Sequence, residues 1–296
     1  MSAPLVSVLM TAYNREQYIA EAIESVLAQT LTDFELIIVD DCSKDRTVEI
    51  AKRYTSDSRV SVYVNEKTLR QFPNRNRAAE LATGKYLKYV DSDDLIYPHC
   101  LQVMVYYMEQ IPDAGLGMDV NSRGIAPQPI RLDPVSAWRQ ALLGPGLLWS
   151  APLSTIIRSD AFRRCGGFRF VEATTGDIPF LYDVCSLFPS VLFSANLGYY
   201  RLHAGQEFAS LTTDRALAES ARHLPGIIFS ERCPLSPEER LVAHHNLVGP
   251  FARYCMRLAI RGQIRRAWRL WSYAQRPIKE IAFARIRPKR PYAPCF

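Results

Sequence analysis

The sequence lacks the features that mark several large protein classes. No apolar run approaches the roughly 20 residues that span a bilayer, so no transmembrane helix is expected. No Gly-x-Gly-x-x-Gly motif follows the first apolar segment and no Gly-Lys-Ser/Thr loop occurs, which argues against a dinucleotide oxidoreductase and a P-loop NTPase. The 7 cysteines are scattered without a Cys-x-x-Cys pair. Reduced thiols in a cytosolic protein are therefore expected, rather than a zinc site or a disulfide framework.

The composition is that of a folded protein. With 296 residues, 48% hydrophobic and 22% charged, the chain can bury a core of one large domain or one and a half. The net charge of +6 is modest, and it fits ordinary surface charge, an anionic substrate or a membrane surface. The short apolar run Leu5–Met10 lacks a basic start and a cleavage site, so no signal peptide is expected.

Buried-type strands alternate with helical patterns in the first part of the chain. The segments between the strands, such as residues 19–27 and 74–82, carry apolar residues at helical spacing, and Gly84 is expected to cap the second. This alternation predicts an α/β fold with a mainly parallel sheet covered by helices. The predicted strands are Leu5–Met10, Phe34–Val39, Arg59–Val64 and Lys85–Val90.

Carboxylates follow two of these strands directly, as Asp40-Asp41 and as Asp91-Ser92-Asp93-Asp94. Ligands of parallel sheets bind beyond the carboxyl ends of the strands, so both groups should meet Thr11-Ala12-Tyr13 at one rim. Crowded carboxylates repel one another and are commonly tolerated around a cation. Taken singly, each group also fits an acidic turn that caps the next helix. Together they predict a nucleotide site. Tyr13 would stack on a base, Asp40 would accept a hydrogen bond from a base N–H, and the acidic triplet would bind a divalent cation.

Several segments, in this order, resemble the family-2 inverting glycosyltransferases. They are Val6–Asn14, Glu35–Thr47, Asn76 with Gly84–Tyr86, and Asp91–Asp94, with a weaker likeness at Cys165–Phe168 and Tyr200–His203. The resemblance implies the GT-A fold, a Rossmann-like mixed, mainly parallel sheet flanked by helices. It also implies a nucleotide-diphosphate-sugar donor and a divalent cation, Mn²⁺ or Mg²⁺. Asp91-Ser92-Asp93 would be the family's DxD motif.

The resemblance assigns roles to individual residues. The metal would be held by Asp93, with His203 closing over the metal or the diphosphate. The remaining matched positions would bind the donor: Thr11, Ala12, Tyr13, Asp40, Asn76, Asp91, Ser92 and Arg201.

An inverting transfer needs a base that takes the proton of the acceptor hydroxyl, and it needs no protein nucleophile. The family places this base in a Glu-Asp pair after a Gly-Gly-Phe turn. Here Gly166-Gly167-Phe168 is followed by Gly176-Asp177, which makes Asp177 the predicted base. Glu172 and Asp183 are the alternatives. The purely structural alternative for Asp177 is an N-cap of the helix that follows.

The domain organisation is predicted as a GT-A catalytic domain over 1–213 and a helical C-terminal extension with a basic tail over 214–296. The catalytic domain would divide into a nucleotide-binding half, 1–110, and an acceptor-binding half, 111–213. In the second half, Trp138 and Trp149 lie near proline-rich loops and are either sugar-binding or core residues. In the extension, residues 259–274 mix arginine with tryptophan. That mixture fits either an interfacial helix on an anionic membrane or a packed helix with a solvated basic edge.

The sequence thus predicts a metal-dependent inverting glycosyltransferase, with a UDP-sugar expected from family frequency. The expected acceptor is a glycan or a lipid-linked glycan, which places the protein in polysaccharide or lipid-linked glycan synthesis. It would act in the cytoplasm or at the inner face of the cell membrane, without nucleic acid, because no recognition module accompanies the basic tail. The alternative is a catalytically inactive nucleotide-sugar-binding or scaffold protein of the same fold.

Overall fold

A computed structural model describes residues 3–120, 129–144, 152–169, 176–203 and 213–285. The chain forms two compact units. The first, called the sheet unit, comprises 1–133, 150–170 and 188–201. The second, called the helical unit, comprises 134–149, 171–187 and 202–296. Two segments predicted within the acceptor-binding half, 134–149 and 171–187, therefore group with the C-terminal helices.

The sheet unit is built on a mixed sheet that has eight strands in the described residues, in the order β3-β2-β1-β4-β8-β6-β9-β7. Strands β1 to β4 are mutually parallel, as predicted, whereas β8 runs antiparallel between β4 and β6. A separate antiparallel pair joins β5 and β10. The strands are β1 Val6–Ala12, β2 Phe34–Asp40, β3 Val60–Val64, β4 Tyr86–Tyr89, β5 Leu95–Ile96, β6 Leu116–Asp119, β7 Ile130–Leu132, β8 Thr155–Arg158, β9 Ser190–Phe193 and β10 Gly198–Tyr199.

Helices follow the strands and cover the sheet. The helices of the sheet unit are α1 Ile19–Leu27, α2 Thr47–Lys52, α3 Gln71–Leu81, α4 Cys100–Gln110 and α6 Ser159–Cys165. Those of the helical unit are α5 Pro134–Leu142, α7 Asp177–Leu187, α8 Thr213–Ile228, α9 Pro237–Ile260 and α10 Ile264–Tyr273. Short 3-10 turns lie at Arg53–Ser56, Pro152–Ser154 and Ile278–Arg285.

The strands β1 and β2 are apolar because they lie in the core of the sheet unit. In β1 and β2 every residue is buried except Thr11 and Glu35, which are half-buried. Such continuous apolar runs are stable only when helices cover both faces of the sheet. On one face, Ile19, Ile23 and Val26 of α1 pack among the strand residues. The predicted α/β fold is confirmed.

Gly84 has a different role from the predicted helix cap. Helix α3 ends at Leu81, and the capping residue Ala82 has extended backbone. Gly84 instead lies against β1, where its N–H donates to Ser7 Oγ at 2.8 Å. A Cβ atom at this position would lie 2.6 Å from the Ser7 nitrogen. Close approach of two backbones, rather than a left-handed conformation, therefore requires glycine here.

The helical unit is centred on the long helix α9. The helix starts with a capping box, in which Ser236 Oγ accepts from the Glu239 N–H and the Glu239 carboxylate accepts from the Ser236 N–H. Phe251 of α9 stacks on Trp271 of α10, with ring centroids 5.5 Å apart. In the described residues no helix is both long and apolar enough to cross a membrane.

Trp138 proves to be a core residue. It is 1% exposed, and its ring meets that of Tyr182 edge to face at 4.7 Å. A side chain buried in this way is not available to a sugar face. Trp149, the other tryptophan considered for that role, lies outside the described residues.

Candidate functional site

Asp40 ends β2 and is 1% exposed. Its carboxylate accepts hydrogen bonds from the Ser43 N–H, at 2.8 Å, and from the Ser43 hydroxyl. Burial raises the pKa of Asp40 above its ordinary value, although the Ser43 hydrogen bonds oppose this shift. The loop after β2 therefore fixes the carboxylate in one orientation at the end of the strand.

The loop after β1 is tied to the loop after β2. Asp41 N–H donates to the Ala12 carbonyl, and Asn14 N–H donates to Ser43 Oγ, both at 2.8 Å. Between these contacts Tyr13 is 48% exposed. An exposed aromatic ring on a fixed loop can stack on a nucleotide base. Thr11, Ala12, Tyr13 and Asp40 are thus brought to one end of the sheet, as predicted from their strand ends.

The Asp41 carboxylate has a structural role. Its carboxylate accepts from the backbone N–H groups of Leu69 and Arg70, at 2.7 and 2.8 Å, and from the Asn65 amide at 2.9 Å. These bonds position the segment that leads into α3. The hydrogen bonds of Asp40 come only from Ser43 of its own loop, and its contact with a nucleotide base stays a prediction.

Arg75 of α3 meets Asp91, which follows β4 after Val90. The guanidinium Nη2 lies 2.8 and 3.0 Å from the two Asp91 oxygens. Arg75 is 2% exposed, and its Nε and Nη1 atoms are buried with no hydrogen-bond partner in the described residues. The N–H groups of a buried guanidinium normally donate to acceptors. A ligand oxygen that accepts from Nε or Nη1 would therefore bind favourably here. From the sequence, Arg75 and Arg77 flank Asn76, and the pattern fits either one arginine facing the nucleotide or two solvated side chains.

Asn76 supports a turn. Its side-chain amide donates to the Phe168 carbonyl at 2.7 Å and accepts from the Phe168 N–H at 2.8 Å. In the same turn Gly167 has a φ of +70°, and a Cβ there would lie 2.7 Å from Asn76 Oδ1. Both polar atoms of Asn76 are engaged in holding the Gly166-Gly167-Phe168 segment. These contacts give it a positioning role, and its contact with the nucleotide stays a prediction.

Asp93 is paired with an arginine that sequence reasoning missed. Arg15 Nε donates to Asp93 Oδ2 at 2.9 Å, and Arg15 Nη1 donates to the carbonyls of Tyr13 and Asn14. The neighbouring Ser92 hydroxyl donates to the Thr11 carbonyl at 2.9 Å. The loop after β1 and the acidic segment therefore form one hydrogen-bonded assembly. A basic residue in the loop after the first strand was the only signal for Arg15.

Asp94 and Arg201 complete the acidic rim, a name used here for Asp40, Asp91, Asp93 and Asp94. The Arg201 N–H donates to Asp94 Oδ1, and Arg201 Nε donates to the Asp93 carbonyl, both at 3.0 Å. The pKa of Asp94 is raised to about 7, first by burial and then by the nearby charge of Asp91. Arg201 thus lies at the rim, as predicted, and its guanidinium also pairs with Glu21.

Asp119 ends β6 and organises the approach to Arg201. Its carboxylate accepts from the N–H groups of Ala195, Asn196 and Leu197 at 2.9, 3.3 and 2.8 Å. This loop leads into β10, which pairs with β5 directly after the acidic segment. Asp119 carries the same signal as Asp40, a carboxylate at the end of an apolar strand. It was missed because the chain after Gln110 was taken as irregular.

The donor set of the rim fits a hard divalent cation in part. Carboxylate oxygens are the preferred ligands of Mg²⁺ and Mn²⁺. In the described residues, however, no cluster of three or more His, Cys, Asp or Glu side chains is placed to hold a metal ion. Within the described residues a cation could therefore be held by at most two such side chains, of which Asp93 is the predicted one. That number suits Mg²⁺, which is commonly held by one or two carboxylates together with substrate phosphates.

The predicted base lies in the helical unit. Asp177 opens α7, and its Oδ1 accepts from the Ile178 N–H at 3.0 Å. Of its competitors, Asp183 is 4% exposed and lies 3.2 Å from Arg232, and Glu172 is outside the described residues. His203 is half-buried in the same unit. The catalytic role of Asp177 and the metal-binding role of His203 stay predictions.

Comparison with known proteins agrees with this architecture. The family model described as glycosyl transferase family 2 matches residues 7–189. The uncharacterized glycosyltransferase MJ1057 of Methanocaldococcus jannaschii is 41% identical over 119 residues, which cover 39% of this chain and 41% of MJ1057. The chain thus spans well under two thirds of that relative.

Two solved structures share the fold. Staphylococcus aureus TarS 1–349 in complex with UDP-GlcNAc has a TM-score of 0.65 at 22% identity, covering 83% of this chain and 72% of TarS 1–349. The mannosyltransferase PcManGT of Pyrobaculum calidifontis, in complex with GDP-Man and Mn²⁺, has a TM-score of 0.62 at 16% identity. That match covers 96% of this chain and 79% of PcManGT. At these identities the likeness concerns the fold alone, and with the strand order and the acidic rim it confirms the predicted GT-A architecture. Because the family model spans more than half of the sequence, the chain belongs to glycosyl transferase family 2.

Proposed function

We propose that the protein is a metal-dependent inverting glycosyltransferase that moves a sugar from a nucleoside diphosphate to an acceptor hydroxyl. The observation that carries this proposal is the convergence of an exposed aromatic ring and the acidic rim at the ends of β1, β2 and β4. One end of this site suits a base, and the other suits a diphosphate with its cation. Family membership supports the same reaction class.

The nucleoside would lie against Tyr13 and Asp40. Tyr13 offers a ring face, and the fixed Asp40 carboxylate accepts a hydrogen bond from a base N–H. Asp91 and Arg75 would meet the ribose or the diphosphate, since Arg75 has two buried N–H groups to satisfy. A UDP-sugar is the proposed donor. The UDP-GlcNAc complex of TarS supports this choice, although PcManGT was solved with GDP-Man.

Asp93 would hold the divalent cation, and His203 would close over the metal or the diphosphate. When bound, the cation neutralises the charge of the departing diphosphate. In the structure described here Asp93 already faces the positive charge of Arg15. Donor binding therefore has to share or replace that ion pair. Arg201 donates to the backbone of the acidic segment. Its positive charge would attract a further phosphate oxygen.

The acceptor hydroxyl would lose its proton to Asp177 as its oxygen attacks the anomeric carbon from the face opposite the diphosphate. The C–O bond to the diphosphate breaks as the new glycosidic bond forms, so the configuration inverts. A glycan or a lipid-linked glycan is the proposed acceptor. Contact with the inner face of a membrane would place the protein near such an acceptor.

Calorimetric titration with UDP, dTDP, GDP and CDP, each with and without Mn²⁺, tests the proposal directly. We expect tight and metal-dependent binding of one nucleotide, UDP first. Binding of none by the folded protein would contradict the proposal. Binding followed by no transfer to any acceptor pool would favour the inactive nucleotide-sugar-binding or scaffold protein.

A further inference from the structure

The junction of α9 and α10 carries exposed apolar side chains. Ile260, Ile264 and Trp268 are 80%, 66% and 58% exposed. On a helix, Ile264 and Trp268 are four residues apart and lie about 40° from each other, on one side. The adjacent side of α10 is buried through Ala267 and Trp271. Three large apolar side chains at one corner are more than the scattered exposure expected of a soluble surface.

The same corner is strongly basic. Residues 257–273 contain five arginines and no acidic residue. Arg266 pairs with Asp214 at 2.6 Å. The guanidinium groups of the other four make no ion pair or hydrogen bond within the described residues, and all four side chains are exposed: Arg257, Arg261, Arg265 and Arg269. Positive charge without a partner is therefore concentrated beside the exposed apolar side chains.

Buried, exposed apolar and basic side chains follow one another around α10. At about 100° per residue, the buried side lies next to the apolar pair Ile264 and Trp268, which lies next to Arg265 and Arg269. An amphipathic helix at a bilayer interface has this arrangement, with apolar side chains entering the acyl boundary and cations at the headgroups. The sequence alone did not reveal a clean stripe, because Trp271 belongs to the core and Trp268 to the surface.

We propose that this corner, made of Ile260, Ile264, Trp268 and the arginines 257, 261, 265 and 269, is a docking surface for an anionic lipid bilayer. The four arginines of this corner would repel those of a second copy, which argues against a second copy of this chain as the partner. A nucleic acid backbone would engage the arginines but would leave the isoleucines and Trp268 in water. The inference does not depend on the identity of the donor.

Co-sedimentation of the full chain with vesicles tests the proposal. We expect binding to phosphatidylcholine vesicles that contain phosphatidylglycerol, little binding to phosphatidylcholine alone, and weaker binding as salt rises. Arg265→Gln with Arg269→Gln should lower the partition coefficient about tenfold or more, since each cation near an anionic surface contributes measurably. The matched control is Lys52→Gln with Arg77→Gln, two exposed cations of the sheet unit, which should leave binding unchanged.

The apolar part of the surface has its own test. Trp268→Ala should weaken vesicle binding about tenfold. Tyr106→Ala should not, although Tyr106 is an equally exposed aromatic at 59%. All these positions are exposed, and equal melting temperatures would show that the variants fold. Equal sedimentation of wild type and both corner variants would overturn the proposal, as would binding to an RNA oligonucleotide that is stronger than binding to anionic vesicles.

Discussion

The acidic rim of the sheet unit and the basic corner of the helical unit treat charge in opposite ways. At the rim, Asp91 is paired with Arg75, Asp93 with Arg15, and Asp40 with Ser43. At the corner, four arginines are exposed and have no partner within the described residues. Charges that are buried need partners because desolvation is expensive, whereas exposed charges remain hydrated at little cost. The carboxylates of the rim are therefore fixed by their partners, whereas the arginines of the corner remain hydrated and accessible to an anionic partner.

Replacement of the predicted base should have the largest effect. Asp177→Asn should leave nucleotide binding unchanged and reduce transfer about 10³- to 10⁴-fold, since the acceptor proton then has no base. Calorimetry and a turnover assay measure the two properties separately. Asp183→Asn tests the alternative base in the same helix. Because Asp183 is buried beside Arg232, this change should affect folding more than transfer. Normal turnover of Asp177→Asn would transfer the role to Glu172 or Asp183.

The rim can be tested by removing one carboxylate. Asp93→Asn should abolish the Mn²⁺ dependence of nucleotide binding and reduce turnover about 10²- to 10³-fold, because the charge of the leaving diphosphate is no longer neutralised. Titration with and without Mn²⁺ measures it. Asp113→Asn provides the control, since Asp113 also pairs with an arginine but is exposed and distant in sequence from the rim. An unchanged Mn²⁺-dependent affinity would remove Asp93 from the metal site.

The contrast between buried and exposed charge predicts a difference in stability. Arg75→Met leaves Asp91 without its buried partner and should lower the free energy of unfolding by about 2–3 kcal/mol, with a fall of several degrees in melting temperature. Arg131→Met breaks an exposed pair with Asp113 and should change the free energy of unfolding by less than about 0.5 kcal/mol. Equal melting temperatures for the two variants would refute the assignment of Arg75 as a buried, stabilising charge.

A buried histidine should make the helical unit sensitive to acid. His244 is 7% exposed, and burial lowers its pKa below 6.5. It faces Glu280 at 3.3 Å, with Arg276, His245 and the rings of Phe229 and Phe283 nearby. As the pH falls, the unfolded chain therefore takes up the proton first, and stability present above pH 6.5 is lost below it.

Melting temperatures measured at about pH 8 and about pH 5.5 check this expectation. His244→Gln should show a smaller fall between the two pH values than the wild type. His99→Gln, a change at an exposed histidine of the sheet unit, should behave like the wild type. A wild-type melting temperature that does not fall with pH would contradict it.

The sequence predicts which strand ends carry the carboxylates of the rim, but it does not predict which side chains pair with those carboxylates. The apolar runs before Asp40 and Asp91 are local signals, and the rule for parallel strands brings them together. Arg15 and Asp93 are 78 residues apart, and Arg75 and Asp91 are 16 apart. Nothing in the local pattern indicates that these side chains meet. Asp119 could have been found from its strand, but the antiparallel insertion of β8 was not expected.

By itself the sequence determined the family, the α/β alternation and the gathering of aspartates at one end of the sheet, because hydrophobic periodicity and strand-end chemistry are local. Only the tertiary structure decided that Asp41 and Asn76 hold loops, because their hydrogen-bond partners lie elsewhere in the chain. It also decided that Trp271 is core and Trp268 is surface, although they are three residues apart on one helix. Which face of an element is covered depends on the segments that pack against it, and those segments lie far away in the chain.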